Sequence, residues 1–411
     1  MDFEDTREEA EFRARARAFL EKAAPRREGT NMLYRAATAD AGFIAQAKDY
    51  QARKADAGFA GITWPKEWGG QGGSAIEQVI FDQEEAKFGV PRGIFEIGLG
   101  MCIPTLCTWG TQAHRDRYAR KALRGEEIWC QLFSEPAGGS DLAALRTRAE
   151  RDGDDWIING QKIWTSGAHY SDFGVIVTRS DFDAPKHKGL TYFFLDMKSP
   201  GIEIRPIKQI SGASHFNEVF FTNVRIPDSQ RLGGVGDGWK VSLTTLMNER
   251  YTIGGRAGVD VDELIELARK VELDDGPALK NAVVREKIAD WYVQSRGLKY
   301  SHFRTMTALS RGETPGPESS IGKLVTGRKL QDMSAFAMDL LEQGGVVTDP
   351  ALAPMAALFQ QTLMTSPSSR IAGGSDEIMR NIIAERVLGL PPDIRVDKDI
   401  PFNKVPTGKK G

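Results

Sequence analysis

The sequence has few residues of the kinds that bind metals or form disulfides. Its 411 residues include five histidines and three cysteines (Cys102, Cys107 and Cys130), which have no metal-binding spacing and form no even disulfide set. No apolar run reaches the roughly 18 residues needed to cross a bilayer. The chain opens with acidic residues instead of a basic, apolar signal. These absences predict a cytoplasmic protein with buried reduced thiols, no metal site and no membrane segment.

Excess charge of one sign is also missing. Lysine and arginine total 54 against 56 for aspartate and glutamate, a net charge of -2. This balance gives no electrostatic reason to expect nucleic acid or an anionic membrane as a partner. The length exceeds that of one ordinary hydrophobic core, so two or three domains are expected.

Changes in residue periodicity divide the chain into three predicted domains and a tail. Residues 1–128 favour helices, because Phe12, Ala16, Phe19 and Leu20 recur at helical spacing. Residues 129–238 favour an antiparallel barrel or sandwich with short strands at 156–158, 173–178, 190–196, 202–207 and 219–224. Residues 239–392 favour a four-helix bundle, with long helices around 241–255, 279–310, 319–343 and 376–388. Residues 393–411 form the tail, and the predicted fold class is α+β.

Several familiar ligand-binding signatures are absent. The glycine-rich run at 233–240 resembles a phosphate loop, but Trp239 occupies the lysine position and no serine or threonine follows. No G-x-G-x-x-G sequence joins a strand to a helix, and no G-x-S-x-G elbow is present. A dinucleotide-binding Rossmann unit and a serine hydrolase are therefore not indicated.

Two motifs in the predicted β-domain carry more information. Residues 131–141 (QLFSEPAGGSD) form a strand that enters a glycine turn, where backbone N–H groups can approach a ligand. Residues 159–167 (NGQKIWTSG) place a tryptophan beside two hydroxyl groups, which suits the covering of a flat ring. Taken singly, each motif is more often an ordinary hairpin turn with a core tryptophan.

Together, and in this order before a helical bundle, the two motifs resemble the flavin-contacting motifs of the acyl-CoA dehydrogenase family. Residues 61–70 and 381–389 support the resemblance, which covers about residues 5–392. It implies that FAD binds between the β-domain and the C-terminal bundle. The positions that match the family's cofactor contacts in the β-domain are Phe133, Ser134, Gly139, Ser140, Trp164, Thr165 and Ser166.

Outside the β-domain, the positions that correspond to the family's FAD contacts agree less well with the family pattern. Ser375 and Glu377 match contacts to the adenosine half of FAD, although Glu377 is equally well explained as an acid that favours a helix N-terminus. Arg269 is the candidate for the FAD pyrophosphate. The Gly344-Gly345 turn is kept, but Leu341 stands where the family commonly has a glutamine. Either the FAD tail is held differently, or a partner subunit contributes the missing groups.

The proton-abstracting base is the open question in this resemblance. Gly373 lies where many members carry the catalytic glutamate, and it retains only its backbone N–H as an oxyanion donor. Some members place the glutamate on the first C-terminal helix, just before an arginine, and Glu249 and Arg250 match that pair. Glu249 is therefore the candidate base and Arg250 its support. The alternative is a surface glutamate on an amphipathic helix.

The resemblance implies FAD-dependent α,β-dehydrogenation of an acyl-CoA to a 2-enoyl-CoA in lipid or steroid catabolism. An electron-transferring flavoprotein is the expected acceptor, and a homotetramer or heterotetramer is the expected assembly. The small residues at 372–374 hint at a branched, cyclic or bulky acyl group. Two alternatives stay open: a non-catalytic or partly catalytic subunit of a heteromeric dehydrogenase, and oxidase or desulfinase chemistry on the same fold.

Overall fold

The computed structural model describes residues 5–26, 39–253, 259–310, 316–394, 397 and 399–406. The chain clusters into two compact units. Met1–Leu33, Ser74–Gly89 and Gly254–Pro392 form the first, which we call the helical unit. Tyr34–Gly73, Val90–Ile253 and Asp393–Gly411 form the second, which we call the sheet unit. The N-terminal helical residues are thus shared between the two units.

The α-helices are, in chain order, α1 (Arg7–Ala23), α2 (Ala41–Asp56), α3 (Ala75–Glu85), α4 (Ile103–Trp109), α5 (Gln112–His114), α6 (Arg120–Leu123), α7 (Gly238–Ile253), α8 (Val261–Lys270), α9 (Ala282–Ser310), α10 (Ser319–Leu341), α11 (Leu358–Ile371) and α12 (Asp376–Ile382). Capping boxes begin several of them, because a side-chain oxygen accepts from the first free backbone N–H groups. Thr6 with Glu9 caps α1, and Asp260 with Glu263 caps α8. The predicted stripe on α1 is largely confirmed, since Phe12, Ala16 and Leu20 are buried.

The strands are β1 (Trp129–Leu132), β2 (Arg148–Asp152), β3 (Asp155–Ser166), β4 (Phe173–Arg179), β5 (Leu190–Asp196), β6 (Ile202–Ile207), β7 (Phe216–Pro227), β8 (Arg231–Leu232), β9 (Glu272–Leu273) and β10 (Gly276–Pro277). The main sheet has the order β6-β7-β3-β2-β4-β5-β8, with β1 also paired to β4. Most pairings are antiparallel, as expected, but β4 pairs in parallel with β1 and with β2. All five predicted strands are present, and three of them are longer than predicted.

The core of the sheet unit lies on both faces of β4. Val175 and Val177 pack in a cluster with Leu106 of α4 and Val241 of α7, whereas Ile176 packs in a second cluster made by the strands. Because side chains alternate along a strand, a continuously apolar strand buries both faces. This arrangement holds α7 against the sheet.

The C-terminal helices differ from the prediction in number and length. The predicted helices at 279–310 and 319–343 correspond to α9 and α10, but α8 and α11 were not predicted. Pro367 lies inside α11, and a proline within a helical pattern argues against a helix. The predicted helix at 376–388 is α12 followed by a π-helical turn, Ile383–Val387. Where the structure describes the chain, no helix has both the length and the apolar character of a membrane span.

Glu84 of α3 pairs with three basic side chains in the helical unit. It is fully buried and accepts from Arg13 at 3.2 Å, Arg17 at 3.1 Å and Lys87 at 2.7 Å. Burial opposes its ionisation, but the hydrogen bonds from Arg17, Lys87 and Arg13 prevail and lower the pKa of Glu84 from 4.5 to about 2. The ionised carboxylate therefore ties α1 to α3.

We predict that Glu84→Gln destabilises the protein by about 3 kcal/mol, because it removes the charge of a buried carboxylate that accepts from three partly exposed cations. The folded pKa lies below the ordinary value, so the stabilisation is complete above pH 4.5 and is lost as the pH falls towards about 2. Urea denaturation between these pH values measures both effects. Glu21→Gln is the matched control, because Glu21 pairs with Arg26 at an exposed position. Equal losses in the two variants would contradict the prediction.

Candidate active site

The two predicted flavin motifs lie side by side in the sheet unit. The first follows β1 at residues 133–141, and the second forms the end of β3. The backbone N–H of Ile163 donates to the carbonyl oxygen of Ser134 at 2.9 Å, which joins the two segments. Phe133 is buried and Ser134 is half-buried at this junction. Motifs that are separate in the sequence therefore form one continuous surface.

Trp164 stands out from the sheet because β3 carries a bulge. The pairing register of β3 with β7 shifts between Lys162 and Thr165, and Trp164 within this shift has a φ of +61°. Trp156, Ile158 and Lys162 are buried on one face, whereas Trp164 is 55% exposed. A bulge re-aims side chains, and a positive φ in a residue with a side chain marks a functional constraint. Trp164 is thus presented as an open aromatic face.

The residues after Trp164 point in different directions. Thr165 is buried, and its hydroxyl has no hydrogen-bond partner among the described residues. Its carbonyl oxygen accepts from Asn217 Nδ2 at 2.9 Å, and Asn217 Oδ1 lies 3.0 Å from His169 Nδ1. Ser166 is half-buried. Of these three predicted contacts, Trp164 and Ser166 are accessible, whereas Thr165 is turned into the core.

A buried ion pair fixes the first motif. Lys162 is fully buried, and its ammonium group donates to Glu135 Oε1 at 2.9 Å and to the carbonyl oxygen of Phe133 at 3.0 Å. Glu135 also accepts from the backbone N–H groups of Arg146 at 2.6 Å and Thr147 at 2.8 Å. Burial opposes its ionisation, but the charge of Lys162 and these N–H donors hold the pKa of Glu135 below its ordinary value.

The glycine turn of the first motif is closed by two backbone hydrogen bonds. The N–H of Glu135 donates to the carbonyl oxygen of Gly138 at 2.9 Å, and the N–H of Gly138 donates back at 3.0 Å. Gly139 follows, close to the hydroxyl of Ser134, since a Cβ on Gly139 would lie 3.8 Å from Ser134 Oγ. Ser140 is exposed. The turn therefore presents small residues and a hydroxyl to solvent.

Glu249 continues the buried stripe of α7. Val241, Ser242 and Thr245 are fully buried, and Glu249 lies one turn beyond Thr245 on the same face. Thr245 Oγ1 lies 2.9 Å from the hydroxyl of Tyr192. Glu249 itself is half-buried. Helical spacing thus places Glu249 on the face of α7 that carries Ser242 and Thr245.

The side chains around Glu249 are partly exposed. Leu243 and Met247 are exposed large apolar residues of α7, whereas Leu246 packs against the sheet-unit core. The predicted supporting residue Arg250 belongs to α7, but its side chain lies outside the described residues.

The loop at 372–375 lies in the helical unit and depends on its glycines. Gly373 and Gly374 have φ values of +67° and +96°, and a Cβ on Gly374 would lie 2.4 Å from Met379 Cε. Left-handed backbone costs other residues energy, so loop geometry alone explains both glycines. The N–H of Gly373 meets no acceptor among the described residues.

The start of α12 follows this loop. Ser375 caps the helix, accepting from the N–H of Ile378 at 3.4 Å. Glu377 lies in the first helical turn, where its own backbone N–H and the Ser375 hydroxyl lower the pKa of its carboxyl group. Lys323 of α10 donates to the carbonyl oxygen of Gly374. Capping explains these residues without a ligand, so their adenosine contact stays a prediction.

The remaining predicted cofactor residues are more dispersed. Arg269 lies in the exposed last turn of α8 and pairs with Glu266. Gly344 and Gly345 form part of a 3₁₀ turn, Glu342–Val346, directly after α10. Leu341 packs against the core of the helical unit. An apolar core residue at this position is consistent with a changed contact to the FAD tail.

Lys162 and Asn217 have no role predicted from the sequence, although both make hydrogen bonds within the candidate site. The signal for Lys162 was its position on the inward face of β3, in phase with Trp156 and Ile158. A lysine at an inward strand position requires a buried acid. Identifying Glu135 as that acid needs the tertiary fold, because the two residues approach only when the strands pair.

Comparison with known proteins identifies the family of this chain. The N-terminal, middle and C-terminal domain models of acyl-CoA dehydrogenase match residues 6–126, 130–224 and 236–388. The chain belongs to the acyl-CoA dehydrogenase family of enzymes. Members of this family are FAD-dependent.

Curated relatives agree with this assignment. The chain is 36% identical over 347 residues to the Mycobacterium tuberculosis acyl-CoA dehydrogenase IpdE1, covering 84% of this chain and 88% of the relative. It is 39% identical over 343 residues to acyl-CoA dehydrogenase FadE34 of the same organism, covering 83% of this chain and 46% of FadE34. The chain thus spans about half the length of FadE34.

Solved structures show the same fold. The "Tcur3481-Tcur3483 steroid ACAD" superposes with a TM-score of 0.78 at 27% identity, covering 96% of this chain and 100% of that one. The ChsE4-ChsE5 complex from Mycobacterium tuberculosis gives a TM-score of 0.78 at 25% identity, with the same coverage of both chains. The predicted order of helical, β and helical domains is confirmed.

We predict that Lys162→Met destabilises the protein by about 3–5 kcal/mol, because it leaves the Glu135 carboxylate buried without its counter-charge. Lys240→Met is the matched control. Lys240 is a 71% exposed lysine of the same unit that pairs with Asp237 at 2.9 Å, and its loss is expected to cost at most about 1 kcal/mol. Urea denaturation compares the two variants. A small effect of Lys162→Met would show that the pair does not anchor the motif.

Proposed function

We propose that the protein catalyses FAD-dependent α,β-dehydrogenation of an acyl-CoA thioester to the 2-enoyl-CoA, with Glu249 as the base. The observation that carries the assignment of the base is the position of Glu249 on α7. It is half-buried at the end of the stripe formed by Ser242 and Thr245. At the alternative position, Gly373 has no side chain and a left-handed backbone.

The chemistry requires both a base and an oxyanion donor. The α proton of a thioester is too weakly acidic for a solvated carboxylate, so the enolate oxygen must be stabilised while the base is shielded from water. In our proposal Glu249 takes the α proton, and the N–H of Gly373 donates to the thioester oxygen. Arg250 supports the ionised form of Glu249. Substrate binding completes the desolvation that makes Glu249 basic.

The sheet unit has features that fit FAD. Trp164 offers an exposed aromatic face beside the junction of Phe133 and Ser134, and aromatic faces stack on flat rings. When bound, FAD supplies the acceptor for the hydride from the β carbon. In our proposal the residues of the sheet unit that hold it are Phe133, Ser134, Gly139, Ser140, Trp164 and Ser166, whereas the side chain of Thr165 is buried. The contacts from Arg269, Gly344, Gly345, Ser375 and Glu377 stay predictions from the family resemblance.

For the acyl group we propose a bulky, ring-bearing class. The support is the similarity to a steroid acyl-CoA dehydrogenase structure at 27% identity. The glycine pair at 373–374 adds little to this argument, because its positive φ values already account for it. We further propose that an electron-transferring flavoprotein reoxidises the enzyme.

We predict that Glu249→Gln lowers the rate of flavin reduction by about 10²–10⁴-fold while FAD stays bound, because the amide cannot accept the α proton. Anaerobic stopped-flow absorbance with ring-bearing and straight-chain acyl-CoA thioesters measures this rate. Glu286→Gln serves as the control, since Glu286 is an exposed residue of α9. Unchanged reduction by Glu249→Gln would reject the assigned base, and a preference for straight chains would reject the proposed acyl class.

A second candidate function is that of one subunit in a heteromeric dehydrogenase. The specific observation is Leu341, which packs into the core where the family commonly has a cofactor-contacting glutamine. Support also comes from the structural similarity to a chain of the ChsE4-ChsE5 complex, whose name gives two components. In this case a partner subunit supplies the groups that hold the FAD tail.

Expression of the chain alone distinguishes the two candidates. A yellow protein that bleaches with substrate acts as an enzyme without a different partner. We expect Leu341→Gln to raise FAD retention after gel filtration if the missing glutamine limits binding in a homomer. A colourless parent chain that stays colourless after this substitution favours the heteromer.

A further inference from the structure

The segment after the helical unit packs on the turn between β4 and β5. The N–H of Phe402 donates to the carbonyl oxygen of Ala184, and the N–H of Asn403 donates to that of Phe182, both at 3.0 Å. The side chain of Asn403 donates to Asp183 at 2.6 Å. Phe402 is buried, so residues 399–406 are a docked part of the sheet unit. We call these residues, with Asp397, the C-terminal segment.

Phe402 covers a buried arginine that holds the chain just beyond the glycine turn. The guanidinium carbon of Arg179 lies 3.5 Å from the centre of the Phe402 ring. Arg179 is fully buried and donates to the carbonyl oxygens of Ala143 at 2.6 Å and Leu145 at 3.1 Å. A desolvated cation over an aromatic face is held strongly. Phe402 therefore backs the arginine that fixes residues 143–145.

Lys186 makes a second link between the C-terminal segment and the turn. Its ammonium group donates to both carboxylate oxygens of Asp141, at 3.1 and 2.9 Å, and also to Asp397. The side chain of Lys186 is only 10% exposed, whereas that of Asp141 is 56% exposed. Asp141 directly follows Ser140, so this lysine restrains the exposed end of the turn.

Arg146 makes a third link. Its guanidinium carbon lies 5.5 Å from the centre of the Phe402 ring, and its backbone N–H donates to Glu135. The turn is thus held from one side by the Lys162–Glu135 pair and from the other by Arg179, Lys186 and the C-terminal segment. The small residues at 138–140 leave the backbone flexible unless its flanks are restrained.

We propose that the C-terminal segment is a clasp that positions residues 138–141 for a phosphate-bearing ligand, with Phe402 and Lys186 as positioning residues. The inference rests on the proposed function, because it takes this turn to contact FAD or CoA. A loop held in its bound conformation pays less conformational entropy on binding, so a clasp raises affinity without touching the reacting atoms. Its loss therefore weakens ligand binding and leaves the chemical step intact.

The experiment compares Phe402→Ala and Lys186→Met with the conservative variants Phe402→Tyr and Lys186→Arg. We expect each disruptive change to weaken the affinity of one ligand about tenfold, as when a charge-assisted contact is lost, with kcat at saturation unchanged. The conservative variants should restore the parent affinity. Titration of the apoprotein with FAD and the KM for acyl-CoA separate the two ligands: the one whose affinity falls is the one that the turn binds.

Lys198→Met is the matched control, because Lys198 is 75% exposed in the same unit and pairs with Asp172 at 3.1 Å. Disruptive variants that melt earlier but keep the parent affinity for both ligands would overturn the clasp. Failure of the proposed function looks different, since the parent protein would then bind FAD yet oxidise no acyl-CoA, and the FAD titration would still test the clasp. A parent that takes up neither FAD nor acyl-CoA would overturn both proposals.

Discussion

The buried pair of Lys162 and Glu135 is the interaction on which the candidate site depends. An ammonium group in a core is costly, and here the cost is offset only because Glu135 is ionised and the Phe133 carbonyl oxygen accepts as well. Glu135 in turn accepts the backbone N–H groups of Arg146 and Thr147. One charge pair therefore fixes the end of β1, the glycine turn and the start of β2 relative to β3. This buried ion pair therefore orders the backbone segments of the candidate site.

The bulge in β3 places Trp164 on the exposed face of the strand, two residues after the buried Lys162. Without it, the two-residue alternation that buries Trp156, Ile158 and Lys162 would bury Trp164 also. The register shift after Lys162 reverses the phase, so that Trp164 faces outward and Thr165 inward. The same strand thus supplies the buried lysine and the exposed tryptophan. Placing the buried Lys162 and the exposed Trp164 within three residues requires a left-handed backbone at Trp164, which is energetically unfavourable.

The parts of this architecture that follow from local sequence were predictable, and those that follow from tertiary pairing were not. Enrichment in β-branched and aromatic residues predicted all five of the assigned strands, and helical spacing predicted the buried face of α1. The flavin motifs were recognisable because they are contiguous. The partner of Lys162, the phase reversal at Trp164 and the docking of Phe402 on Arg179 each join distant segments or depend on register. No local pattern encodes them.

The backbone conformation of Gly373 explains why this residue is glycine without reference to its catalytic role. The missing side chain removes the carboxylate that many family members have at this position, and it also removes bulk from the loop. The φ of +67° at Gly373 supplies a simpler cause, because a residue with a side chain is strained there. The left-handed backbone accounts for glycine at this position and assigns no chemical role to it. The proposed base, Glu249, lies on α7, one turn beyond Thr245 on the packed face of that helix.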